Sequence, residues 1–125
     1  MPTILIVEDE VDLLSVLVSA LQHALPEYEL LQACDAAQAL DALEQLKARG
    51  EPLAMAIADY HLGADDGLQV LVSVRQQHPD APTLMVTGQA PAEVEDQAQD
   101  MGTRVLWKPV NLHQFLQTVQ ALLGD

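Results

Sequence analysis

Apolar residues in this chain come in short, dense runs, and polar groups of distinct kinds follow them. Residues 53–58, LAMAIA, form an uninterrupted apolar run that delivers one carboxylate, Asp59, and then breaks into a Gly- and Asp-rich stretch closing at Gly67. A run without polar interruption predicts a strand covered on both faces, as strands in parallel sheets are. Residues 4–7 lead into Glu8, Asp9 and Glu10, residues 83–86 into Thr87 and Gly88, and residues 105–107 into Lys108 and Pro109. A group placed where such a strand stops sits at the rim of the sheet. In open α/β sheets the crevice at the carboxyl ends of the strands is where ligands bind. Acids, a lone acid, a hydroxyl and an amine are thereby aimed at one crevice.

Between these runs the apolar spacing becomes helical. Leu14, Leu17, Val18 and Leu21 mark a helix from residue 12 to about residue 25, stopped by Pro26. Residues 28–34 predict a second strand. Asp35 reads as an N-cap with Gln38 in capping-box position, Leu40, Leu43 and Leu46 as the stripe of the helix it opens, and Gly50 as the C′ residue. Asp66 or a neighbour opens a third helix through Leu68, Leu71 and Val72, ending near His78 and Pro79. Pro91 suits the first turn of a short helix through Val94 and Ala98 to Gly102. Asn111 caps the last helix, whose buried stripe is Phe115, Val119 and Leu122. Five strand–helix units with short connections predict one α/β domain over residues 1–125. Its sheet is parallel with helices on both faces, because crossovers between parallel strands are right-handed.

Composition narrows the setting. Half of the 125 residues are hydrophobic, enough for a real core. The apolar runs fall far short of the roughly 20 residues a membrane span needs, and the N-terminus has no basic region of a signal peptide. A cytoplasmic protein is expected, and the single Cys34, read as a small buried strand residue, agrees. Nineteen acids against five basic residues give a formal net charge of −14, so a phosphate backbone would repel the chain and direct nucleic-acid binding is disfavoured. His23, His78 and His113 have no metal-ligand spacing and read as helix-surface residues.

Each strand-end group has an ordinary reading by itself. Glu8, Asp9 and Glu10 suit the solvated start of a helix, favoured by its dipole. Asp59 suits a turn, Thr87-Gly88 a strand-to-loop turn, and Lys108 a surface position. Taken together those readings require four coincidences at four strand ends.

The pieces IVEDE with Glu8 and Asp9, IADYHL with Asp59, DDG ending in Gly67, VTG with Thr87, and LWKPV with Lys108 and Pro109 are individually short. In this order, each at a strand end, they are specific: along essentially its whole length the chain resembles the receiver domains of bacterial two-component response regulators. The resemblance implies a flavodoxin-like (βα)5 three-layer sandwich with strand order 2-1-3-4-5. It implies that Asp59 accepts a phosphoryl group from a phosphohistidine on a histidine kinase or histidine phosphotransfer protein. Mg²⁺ would be held by Asp9 and Asp59, by Glu8 through water, and by the backbone carbonyl of His61. Lys108 would pair with phosphoryl oxygens, the Thr87 hydroxyl and the Gly88 amide would cap another, and the Lys108–Pro109 peptide would be cis. The residue types suit that chemistry. A carboxylate nucleophile forms an acyl phosphate, attack on an anionic phosphoryl group needs charge neutralisation and alignment above all, and carboxylates suit Mg²⁺. Such a domain catalyses only its own phosphorylation and dephosphorylation.

The chain also departs from the family. Many receivers carry an aromatic three residues before the lysine, where this chain has Val105, a side chain of short reach and one dominant rotamer. Trp107 is expected to pack between the fifth strand and a flanking helix. The usual proline after the acceptor is replaced by Gly63 and Ala64, which suggests a looser loop. His61 has two open readings, a side chain tuning phosphoryl hydrolysis or an exposed imidazole contributing only its carbonyl. The sequence also leaves open a free-standing receiver or the C-terminal receiver of a hybrid histidine kinase. Two other functions compete with phosphoacceptance. One is a degenerate receiver serving as a phosphorylation-independent interaction module, against which Asp9, Asp59, Thr87 and Lys108 argue. The other is an enzyme on the same fold, against which the lack of a Gly-rich phosphate loop after the first strand argues.

Overall fold

The computed structural model describes residues 1–124. Its elements run β1 (Thr3–Val7), α1 (Val11–Ala24), β2 (Glu29–Ala33), α2 (Ala36–Arg49), β3 (Leu53–Ala58), β4 (His61–Leu62), β5 (Asp65–Asp66), α3 (Gly67–Gln77), β6 (Thr83–Thr87), α4 (Ala92–Asp100), β7 (Arg104–Trp107) and α5 (Leu112–Leu123). Five strands form one parallel sheet in the order β2-β1-β3-β6-β7, and β4 pairs with β5 in a small antiparallel hairpin. With the hairpin set aside, this is the 2-1-3-4-5 order of the flavodoxin-like fold.

The sequence pattern explains the layering. Successive side chains of a strand point to opposite faces, so a strand apolar at every position must be covered twice. Along β1, Ile4 and Ile6 enter one core with Leu17 and Leu21 of α1 and Phe115 and Val119 of α5. Leu5 and Val7 enter the other, with Leu43 and Leu46 of α2, Leu71 and Val74 of α3, and Val94 and Ala98 of α4. The central strands β1, β3 and β6 therefore carry their last residues to a common edge, where α1 and α3 begin.

Helix ends follow the expected chemistry. Asp35 accepts a hydrogen bond from the Gln38 backbone N–H at 2.8 Å, and the Gln38 side chain returns to the Cys34 N–H at 2.9 Å. Asp66 accepts from Leu68 N–H at 2.7 Å and Asn111 from Gln114 N–H at 3.0 Å. Gly50 closes α2 with φ of 65°, the left-handed conformation that glycine adopts without steric cost.

Several expectations are corrected. Leu40 is 43% exposed, because the buried face of α2 is set by Ala39, Ala42, Leu43 and Leu46. Val72 is only half-buried, and α3 buries Val70 and Val74 instead. Cys34 lies one residue beyond β2 and is half-buried, its Sγ donating to Gln38 Oε1 at 3.2 Å. His78 is the half-buried C-cap of α3 rather than a surface residue, and burial holds its imidazole below its usual pKa. Trp107 does not pack into the core. It ends the edge strand β7, which has a neighbour on one side only, and is 46% exposed. No helix among the described residues is long and apolar enough to cross a membrane.

Phe115, the chain's single phenylalanine, is fully buried in the core between the sheet, α1 and α5. Its replacement in Phe115→Ala is expected to cost about 3–5 kcal/mol of stability. Urea unfolding would check this; a loss under about 1 kcal/mol would mean that the core collapses around the change.

Candidate functional site

The rim is assembled by backbone pairing before any side chain takes part. Glu8 follows β1, and its N–H donates to Ala33 O at 3.0 Å. The N–H of Asp59, at the end of β3, donates to Val7 O at 3.1 Å, and the N–H of Lys108, at the end of β7, donates to Thr87 O at 2.9 Å. Three neighbouring ladders thus extend one residue past the strands and set the carboxylates and the amine side by side. The approach of α3 tightens the arrangement further. A Cβ on Gly67 would lie 1.6 Å from the Asp59 carbonyl oxygen, so only glycine lets the helix start there. The Gly67 N–H donates to Tyr60 O at 2.7 Å.

Lys108 is the hub. Its ammonium donates to Glu8 Oε1 at 2.6 Å, Asp59 Oδ2 at 2.8 Å and Glu10 Oε1 at 3.4 Å, one partner for each of its protons. Burial alone would lower the lysine's pKa, but the hydrogen bonds and charges of Asp59 and Glu8 outweigh it and raise it, so the group stays an ammonium. Glu8, only 3% exposed, is pushed up to about 7. Burial is the main cause and the neighbouring Asp59 adds to it, while the Lys108 contact opposes both. The peptide between Lys108 and Pro109 is cis.

Asp9, Glu10, Asp59, His61, Gly88, Gln89 and Lys108 line an open cleft of about 340 Å³. Glu8 lies buried behind it. Carboxylate oxygens of Glu8, Asp9 and Asp59 lie within 4.8 Å of one another, a hard-oxygen donor set that fits a divalent ion such as Mg²⁺. Asp59 Oδ1 also accepts from His61 N–H at 3.2 Å, and Asp9 Oδ2 from Gly63 N–H at 3.1 Å.

Of the predicted site residues, the structure gathers Glu8, Asp9, Asp59, Lys108, Gly88 and His61 around one cleft. Gly88 lies against the Lys108 side chain, and the exposed His61 ring meets Tyr60 edge-on at 4.8 Å. Thr87 is in place, but its hydroxyl is taken up by the Gln89 backbone. It is buried, and its Oγ1 donates to Gln89 O at 3.1 Å and accepts the Gln89 N–H at 3.4 Å. The loop expected to be loose is instead held by the β4–β5 hairpin and by Gly63. Sequence reasoning passed over Glu10, Gln89 and Gly63 as site residues. Glu10 was visible as the third acid of its run, and Gln89 as the second residue after Thr87. Nothing in the sequence marked the Gly63 amide.

The chain is thus a doubly wound α/β domain with an acidic, lysine-bridged cleft at the carboxyl ends of its strands. Residues 4–120 match the family of the response regulator receiver domain, and the chain belongs to that family. Receiver domains bind Mg²⁺ at an acidic pocket of this kind. Among solved structures, the chain is similar to a response regulator receiver domain protein of Methanospirillum hungatei, with 26% identity, a TM-score of 0.86, and 99% of this chain and 94% of that one covered. It is similar to the receiver domain of an HD domain-containing protein of Pseudomonas fluorescens, with 30% identity, a TM-score of 0.75, and 98% and 94% covered. A response regulator of Burkholderia pseudomallei, solved with a phosphorylated aspartic acid, a calcium ion and citrate, shares 27% identity at a TM-score of 0.79, with 99% of this chain and 69% of that one covered. No curated protein sequence matches the chain.

The raised Glu8 pKa sets a pH dependence. Its folded value lies above its unfolded one, so its contribution to stability is fully present below about pH 4.5 and is lost as pH rises through about 7. In metal-free protein, the Tm of the wild type is expected to fall more between about pH 5 and about pH 8 than that of Glu8→Gln. Parallel Tm profiles would contradict this.

Proposed function

We propose that residues 1–125 form a single receiver domain whose Asp59 accepts a phosphoryl group from a phosphohistidine of a histidine kinase or histidine phosphotransfer protein. The observation that carries this reading is the position of Lys108 Nζ, 2.8 Å from Asp59 and 2.6 Å from Glu8, beside a cleft open to a protein-borne donor. In the transfer, an Asp59 carboxylate oxygen forms a bond to phosphorus as the phosphorus–nitrogen bond of the donor breaks. The electron pair of that bond returns to the imidazole. Two anions must meet, so the barrier falls mainly through charge compensation and alignment.

Glu8, Asp9, Asp59 and the His61 carbonyl would hold Mg²⁺, which when bound supplies positive charge against the phosphoryl oxygens. Lys108 already donates to Asp59 Oδ2 and has only to turn one of its N–H groups to an incoming phosphoryl oxygen next to it, keeping its proton. Thr87 must turn its hydroxyl from Gln89 toward the cleft, a rotation about one side-chain bond. The Gly88 amide would meet the same group. Phosphorylation and its reversal are the only reactions the domain catalyses in this reading, and its setting is the cytoplasm. The assignment is the same for a free-standing receiver and for the C-terminal receiver of a hybrid kinase.

With acetyl phosphate and Mg²⁺, the wild type is expected to gain one hydroxylamine-sensitive phosphoryl group per chain, and Asp59→Asn none. Phosphate-affinity electrophoresis and mass spectrometry would read both. An Asp59→Asn protein modified to the same stoichiometry would sink the assignment. A wild type that is never modified would favour the phosphorylation-independent interaction module.

A further inference from the structure

Gly63 occupies the tip of the β4–β5 hairpin, whose first residue, His61, lines the cleft. Leu62 pairs with Asp65, so Gly63 and Ala64 are the two central residues of the turn. Gly63 has a φ of 64° and Ala64 a negative one, the type II′ pattern, in which glycine takes the first central position. The N–H of that first central residue has no partner within such a turn. Here it reaches 54 residues back along the chain to Asp9 Oδ2, at 3.1 Å.

Asp9 otherwise stands exposed on the lip of the cleft, and no other hydrogen bond to its carboxylate is seen among the described residues. A proline at position 63 could not make the contact, having neither an N–H nor access to a positive φ. The replacement of the usual proline therefore adds a donor aimed at one of the three carboxylates grouped at the proposed metal site.

We infer that Gly63 is a positioning residue: its backbone N–H holds Oδ2 of Asp9 so that the other oxygen faces the divalent ion, tying hairpin order to metal binding. Hydrogen bonds to ligating carboxylates commonly fix their orientation in this way. The inference rests on the Mg²⁺ site of the proposed function. Because the N–H and the metal use different oxygens of one carboxylate, metal binding stiffens the contact instead of breaking it.

Amide hydrogen exchange of the intact wild type, followed by NMR with and without Mg²⁺, tests the coupling directly. The Gly63 amide is expected to exchange more slowly with Mg²⁺ bound; unchanged or faster exchange would overturn the inference. Mg²⁺ calorimetry supplies a second readout. Gly63→Pro is expected to bind about ten-fold more weakly, and Gly63→Ala, which keeps the N–H but is strained at the positive φ of that position, falls between Gly63→Pro and wild type. A folded Gly63→Pro that binds Mg²⁺ like the wild type would overturn the role of Gly63 alone. A wild type with no saturable Mg²⁺ binding would overturn the metal reading together with it. Should Gly63→Pro fail to fold, the exchange measurement decides.

Discussion

One ammonium group facing four carboxylates governs this end of the molecule. Glu8 and Asp59 are nearly buried, Asp9 and Glu10 stand at the lip, and Lys108 touches three of the four. Taking carboxylates out of water is costly, and it is tolerated where a partner with good geometry and further hydrogen bonds offsets the desolvation. Lys108 provides that partner, and the His61 and Gly63 amides supply further donors. The offset is incomplete, as the raised pKa of Glu8 shows. A rim with negative charge in excess of its one lysine is prepared for another positive charge, and for a reaction in which added positive charge matters most.

The sheet explains why these groups meet. In a parallel sheet all strands end at the same edge, so a polar residue placed directly after each buried run is delivered to one line without dedicated scaffolding. The edge here is continuous because the ladders of β1, β3 and β7 extend past the strands to Glu8, Asp59 and Lys108. Gly67 then lets α3 begin in contact with the Asp59 backbone, so the carboxylate sits between strand end and helix start. Packing on both faces leaves the buried strands little freedom, which keeps the charged residues of the rim in register.

Much of this was legible in the sequence because its causes are local. Uninterrupted apolar runs have no other comfortable home than a doubly covered strand, and Asp35, Asp66 and Asn111 act on amides within three residues of themselves. The cluster of Glu8, Asp9, Asp59 and Lys108 was legible for the same reason, each being fixed by the strand before it. What escaped depends on distant neighbours. Trp107 was expected inside, but whether an indole at a strand end is covered depends on whether that strand has neighbours on both sides. Leu40 lost its place to alanines because the contact face of α2 is set by what lies opposite. The Gly63 contact joins residues far apart in sequence through a backbone amide, which leaves no mark in side-chain pattern. Thr87 could be placed, but not the direction of its hydroxyl.

Trp107 offers the most direct test of the central claim, that Asp59 is the phosphoryl acceptor of a working switch. It pairs with Thr87 across the sheet, immediately precedes Lys108, and is the chain's only tryptophan. Its fluorescence would be followed while Mg²⁺ and then beryllium fluoride, a mimic of the phosphoryl group on a carboxylate, are added to wild type and to Asp59→Asn. The account predicts a saturable change in the wild type that requires Mg²⁺ and vanishes in the variant. The same saturable change in Asp59→Asn would contradict it.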